Sequence, residues 1–253
     1  VGLAGASSYA ADGGTLKGRF VYGGKAPTPA ALAITADKAY CGKAEFKAGL
    51  VDPSLSVGAS GGLADVFVYL YLGRSDKIAV HPSYEAKKSE KVVLDNHGCM
   101  FVPHTVGLWT EQTLVIGNKD TVGHNTKVDG ISGKSINPLI PPGKKLDEKF
   151  TVAERLPLVV SCNIHPWMKA RMLVQDHPYF AISDADGNFE IQHIPAGTYD
   201  FRAYHERPGY VQSVTIGGKK ESWKSGKFEG KITEGKVFDL GDITVAPGDL
   251  TGG

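Results

Sequence analysis

The sequence predicts an all-β protein. Two observations point there. Glycine is frequent, at 32 of 253 residues, and turn signals recur along the chain. Between the turns lie short runs that alternate polar and apolar residues, or that are rich in β-branched and aromatic ones. Composition sets the outer bounds. An apolar share of 42% and a charged share of 22% are ordinary for a soluble globular protein. A formal net charge of +1 gives no electrostatic case for nucleic acid or a membrane surface. No run of about 18 apolar residues occurs, so no helical membrane span is expected. The length admits one large domain or two ordinary ones.

In chain order, residues 1–11 are small and weakly apolar. They read either as the remnant of a cleaved export signal or as a chain boundary outside the fold. Residues 14–23 alternate polar and apolar and end in glycine, a strand followed by a turn. Residues 64–72 form the longest strand candidate of the first third, supported by Val66, Phe67, Val68 and Tyr69. Residues 113–120 read as a strand running into a loop. The runs 156–160 and 170–174 read as strands around a further loop. Residues 180–191 suggest a hairpin around Asp184-Ala185-Asp186-Gly187. Asp184, Asp186 and Asn188 also resemble part of a calcium loop, but the glutamate such a loop needs is absent. Strands at 194–204 and 238–245 complete the set. Lysines in the tail, Lys219, Lys220, Lys224 and Lys227, read as solvated edge protection.

The chemistry concentrates between residues 160 and 169. Cys162, His165 and Met168 stand at spacings of three and three on the loop between two predicted strands. Pro166 biases His165 towards extended backbone, which argues against a helix. A thiolate, an imidazole and a thioether together suit copper far better than calcium or magnesium. A blue-copper centre takes two histidines and one cysteine with a long axial methionine. The second histidine is found upstream, in Gly123-His124-Asn125, where His124 heads the next strand.

These residues resemble the cupredoxins, most closely those of the amicyanin and plastocyanin kind. The likeness is carried by Gly123-His124-Asn125 and by Cys162-x2-His165-x2-Met168, with Pro166 after the histidine and Trp167 before the methionine. It covers roughly residues 91–176. It implies one type 1 copper ion held by His124, Cys162, His165 and Met168, in an electron-transfer protein rather than an enzyme. It further implies that the Asn125 N–H points at the Cys162 sulfur and that the Asn125 side chain ties the two loops. His165 is expected to reach the surface in an apolar patch flanked by Pro166 and Trp167, where a redox partner would dock. One departure is plain: Val159-Val160-Ser161 stands where the family has an aromatic residue before the cysteine.

A second resemblance lies outside that region. Ser183-Asp184-x-Asp186-Gly187-x-Phe189, followed by Ile194-Pro195-x-Gly197-x-Tyr199, is similar to the carboxypeptidase regulatory-like (transthyretin-like) β-sandwich. Its two earlier strands correspond to Gly18–Val21 and Asp65–Val68. The expectation is therefore a Greek-key cupredoxin sandwich of residues 89–176 inserted in a second sandwich made of 14–88 and 177–247. A linear order of three β units is the alternative.

Two cysteines remain. An exported protein, periplasmic or secreted, would pair Cys41 with Cys99. The rival reading is a second metal site from His97, Cys99 and His104. His81 and His177, each before proline, read as solvent-facing, and His205-Glu206 as a surface pair. Two function classes compete: a blue-copper electron carrier, and a copper-binding, storage or adhesion module whose sandwich binds a partner. An enzyme with an added metal near His97 and His104 is a weaker third. An oligomer is compatible with the extra sandwich.

Overall fold

A computed structural model describes residues 12–73 and 76–251. The readings at residues 1–11 fall outside it. The described chain is all-β, with one four-residue helix, Lys38–Cys41, and a few 3-10 turns. Among the described residues, no helix is long and apolar enough to cross a membrane.

The strands sort by sequence region. Gly14–Tyr22 pairs antiparallel with Asn188–Ile194 and parallel with Val237–Val245, and the sheet continues through Ser213–Ile216 to Lys219–Ser222. Facing it, Phe67–Leu70 lies between Phe180–Ile182 and Gly197–His205, and Lys227–Ile232 pairs with Gly197–His205. The two sheets close over an aromatic core that includes Phe20, Tyr179, Phe189, Phe201, Trp223 and Phe228. Strands between residues 91 and 175 pair only among themselves. One sheet runs from Lys145–Glu148 through Thr113–Asn118 and Lys91–His97 to Met100–Val102, and the other from Thr105–Trp109 through Lys169–Gln175 and Leu158–Ser161 to Lys127–Val128. Their core holds Leu94, Leu108, Ile116, Val160, Met172, Cys162 and Met168.

Phe67–Leu70 shows why a strand can be apolar without alternation. Val68 and Leu70 face the aromatic core, while Phe67 and Tyr69 pack on Leu173 of the other half. A strand buried on both faces reads as a continuous apolar run. The junction also carries ions. His104 Nε2 and Glu206 Oε2 are 2.5 Å apart, and Arg171 Nε lies 3.2 Å from Glu206 Oε1.

Three expectations differ from the structure. The segment 180–191 is not a hairpin: Phe180–Ile182 and Asn188–Ile194 join opposite sheets. Asp184 Oδ1 accepts from the N–H groups of Asp186 and Asn188, at 2.9 Å each, and turns the chain across the core edge. Gly187 is required there, because its φ is +84° and a Cβ would meet the Phe20 carbonyl oxygen at 2.0 Å. His177 and His205 are buried rather than solvent-facing. His177 Nε2 donates to the Leu70 carbonyl at 3.2 Å while Nδ1 accepts from the Tyr179 N–H at 3.2 Å, and burial pushes its pKa down to about 4. Finally, part of the 14–88 segment packs away from the aromatic core. Leu32, Ile34, Ala36 and Tyr40 lie on the core around Cys162 instead, and Cys41 is part of it.

Candidate metal centre

The turn after Asp120 and the loop after Ser161 bring three donors together. Thr113–Asn118 ends on Asn118, whose Nδ2 donates to the carbonyls of Val122 and Ile140 at 2.8 Å each. That fixes the turn from which His124 emerges, in a two-residue strand paired with Leu139–Ile140. The second loop is closed by the pairing of Leu158–Ser161 with Lys169–Gln175 and by the Met168 N–H donating to the His165 carbonyl at 2.9 Å. His124, Cys162 and His165 then present donor atoms all within 4.8 Å of one another. Met168 is fully buried in the same core. His124 and His165 are 0% exposed and Cys162 is 2% exposed, so the donor set is closed to solvent.

The tie between the loops is Asn125. Its Oδ1 accepts from the Asn163 N–H at 2.7 Å and the Ile164 N–H at 3.3 Å, and its Nδ2 donates to Asn137 Oδ1. The Cys162 thiol lies 3.4 Å from Asn125 Oδ1, the atom that ties the loops. Burial pushes the Cys162 thiol up, but His124 and the backbone around Asn125, Ile164 and His165 outweigh it, and the net direction is down towards thiolate.

Each imidazole is oriented through Nε2 by a carboxylate. His124 Nε2 donates to Asp120 Oδ2 at 2.8 Å, and His165 Nε2 donates to Asp37 Oδ2 at 2.9 Å. This leaves both Nδ1 atoms for the interior. His165 Nδ1 lies 3.6 Å from Cys162 Sγ. His124 Nδ1 is buried and makes no regular hydrogen bond. Burial pushes His124 down, yet Asp120 and the nearby Cys162 sulfur prevail and its pKa is raised. His165 is lowered, by burial first and then by the neighbouring His124.

The residues fit a copper ion. An orphaned buried nitrogen needs a partner, and an ion supplies one. Two donors about 2.1 Å from one ion at a trigonal angle stand about 3.6 Å apart, the separation found between His165 Nδ1 and the sulfur. Thiolate and imidazole donors are a soft set, and Met168 lies in the same core. Carboxylates that hold the outer nitrogens of both rings are the usual companions of metal-bound histidine.

Cys41 and Cys99 form a disulfide with an S–S distance of 2.02 Å, as the export argument expects. The rival second metal site is thereby lost. Cys99 has no free thiol, the side chain of His97 is 57% exposed, and His104 is engaged with Glu206. Of the expected apolar exit, Pro166 is exposed while the ligand and Trp167 are not. His165 is fully buried and Trp167 is 8% exposed, because the segment carrying Asp37 and the Lys38–Cys41 helix lies over them. Trp167 Nε1 donates to the Cys99 carbonyl at 3.0 Å.

Reading the sequence alone missed Asp37, Tyr40 and Asp120. Asp120 stands four residues before His124, a spacing that could have drawn notice. Asp37 lies 128 residues from His165, and no local pattern joins them.

No family model matches the chain, and no curated protein matches it. Solved structures do. The copper-containing nitrite reductase from Thermus scotoductus SA-01 aligns at 19% identity and TM-score 0.30, covering 42% of this chain and 33% of that one. This chain thus spans about a third of the reductase's length. A purple cupredoxin from Nitrosopumilus maritimus aligns at 21% identity and TM-score 0.28, over 34% of this chain and 98% of its own. A methionine-to-glutamine mutant of amicyanin, as Cu(I), aligns at 17% identity and TM-score 0.29, over 34% of this chain and 82% of its own. The reading of the site rests on its own donors and their surroundings.

Proposed function

We propose that this chain is an exported electron-transfer protein with one type 1 copper, which His124, Cys162, His165 and Met168 would hold. The observation that carries the reading is the closed donor set: two imidazoles turned inwards by carboxylates, one with an orphaned Nδ1, around a thiol biased to thiolate. A bound copper ion supplies a one-electron couple. The protein's part is to hold its ligands still. Asn125 locks the two ligand loops, and Asp120 and Asp37 lock the two rings, so little rearrangement accompanies each electron. Burial of all four donors leaves no approach for a substrate, which favours a carrier over an enzyme.

The domain plan belongs to the same proposal. Residues 89–176 form a cupredoxin-type unit inserted in a transthyretin-like sandwich of 14–88 and 177–247, with the stretch from Leu32 to Cys41 leaving that sandwich to pack on the inserted unit's core. What supports it is that strands before residue 89 pair with strands after 176. Periplasmic or secreted location is supported by the disulfide.

The test is a metal count combined with a visible spectrum on the oxidised chain. One copper per chain, an intense thiolate-to-metal band lost in Cys162→Ala, and reversible one-electron cycling are expected. A colourless protein, or a band that survives Cys162→Ala, sinks the reading. The cover over His165 favours a second reading, a copper store or a module whose sandwich binds a partner. Copper that is bound tightly but does not cycle reversibly would select it.

A further inference from the structure

The segment between Gly14–Tyr22 and Phe67–Leu70 crosses from one sandwich to the metal centre, and it ends its crossing in one short turn. Three consecutive attachments sit there. Asp37, at φ 45° and ψ 40°, accepts from His165 Nε2 at 2.9 Å. Tyr40 donates its hydroxyl to Asp120 Oδ1 at 3.1 Å, and Asp120 Oδ2 holds His124 Nε2 at 2.8 Å. Cys41 is bonded to Cys99, whose N–H donates to Asp120 Oδ2 at 2.8 Å. Tyr40 also packs against Phe46, with ring centroids 5.2 Å apart.

We propose that Asp37 and Tyr40 are positioning residues of the metal centre, carried on a disulfide-anchored turn that reaches both imidazoles and closes the His165 edge. The inference rests on the copper reading above. Asp37 acts on His165 directly. Tyr40 acts on His124 through Asp120. A carboxylate bonded to the outer nitrogen of a ligand imidazole fixes the ring and makes it a stronger donor. The more positive oxidised ion gains most from that added negative character. Asp37 therefore raises affinity for the oxidised ion and lowers the midpoint potential. Its left-handed backbone suits Asp or Asn and strains most other side chains, so Asp37→Asn removes the charge without disturbing the turn.

The experiment compares copper-loaded full-length wild type, Asp37→Asn, Asp37→Glu and Tyr40→Phe. Cu(II) affinity is read by chelator competition and midpoint potential by spectroelectrochemistry, and melting of the metal-free chains serves as the folding control. Asp37→Asn is expected to lose about 10- to 100-fold in Cu(II) affinity, to raise the potential, and to melt with the wild type when metal-free. Asp37→Glu keeps the charge but strains the left-handed turn, so it is expected to restore part of both losses while melting below the wild type when metal-free. Tyr40→Phe should move both quantities in the same direction by less. An unchanged potential in Asp37→Asn overturns the proposal. So does an affinity loss matched by lower stability of the metal-free chain and not eased by Asp37→Glu. A wild type that binds no copper removes the copper reading itself, which is a separate and recognisable failure.

Discussion

Between the two large sheets around Phe201, the buried polar groups serve the packing. Ser183 Oγ donates to the Leu63 carbonyl, Tyr179 OH to the Ala79 carbonyl and Tyr84 OH to the Gln192 carbonyl, each at 2.8 Å. Around Cys162 the buried groups are of another kind. A carboxylate, two imidazoles and a thiol stand among leucines and valines, and His124 Nδ1 remains unpaired. Placing charge-bearing groups in a core opposes folding unless each is compensated. Asp120, with a side chain wholly buried, is compensated by donors from Gly98, Cys99, Tyr40 and His124. His205 Nε2 in the other half is also buried and unpaired, so what sets the Cys162 core apart is the convergence of two imidazoles and a thiol, not the open nitrogen alone.

The comparison breaks most readily at its apolar end. Phe201→Ala should cost about 4 kcal/mol in chemical denaturation, because a fully buried aromatic stacked on Phe228 leaves a cavity. It should leave the copper band where it was. A shifted band would show that the two cores are mechanically coupled and the contrast is false.

Asp120→Ala tests the polar end. Four donors lose their acceptor in the interior, so the expected loss is about 3 kcal/mol in the metal-free protein. Copper affinity should fall by about 10- to 100-fold as well. Loss of stability with unchanged affinity would reduce Asp120 to a structural residue.

His177 sharpens the comparison by acidity. It is a buried histidine that serves no metal, and its folded pKa of about 4 lies below the ordinary value of 6.5. The native state therefore holds this ring neutral while the unfolded chain takes up a proton. Its contribution is intact above pH 6.5 and is lost as pH falls towards 4. From about pH 7.5 to about pH 5 the loss is about 2 kcal/mol. His177→Gln should show a shallower decline than wild type in urea titrations across that range. Parallel declines would mean that other groups govern acid sensitivity.

The legible part of this molecule was local. Cys162, His165 and Met168 share one loop, and turn residues and alternation mark Gly14–Tyr22, Thr113–Asn118 and Lys169–Gln175 within a residue or two of their observed ends. What stayed hidden depends on partners far apart in sequence. Asp37 meets His165 only because the whole first segment crosses over the centre. The Asp184 turn looks like a hairpin because a two-strand pattern does not say which sheet each strand joins. His177 and His205 read as surface residues because polar residues beside proline or at strand ends usually are. Their burial follows from the junction between the two halves, which no single stretch of sequence encodes.

The smallest expected effect lies at the surface. Lys17 and Asp239 face each other across the parallel pairing of Gly14–Tyr22 with Val237–Val245, with Nζ to Oδ2 at 3.2 Å and both side chains nearly half exposed. Water and salt screen such a pair, and ordering two side chains offsets much of the attraction. Asp239 also accepts the Gly241 N–H at 2.8 Å, and that bond leads the hydrogen bonds that hold its carboxyl below the usual range. Lys17→Ala should therefore change stability by no more than about 0.5 kcal/mol, while Asp239→Ala should cost somewhat more through the turn it caps. Equal effects from the two substitutions would assign the stability to the ion pair, and the contrast between cores would then have to include the sheet surface.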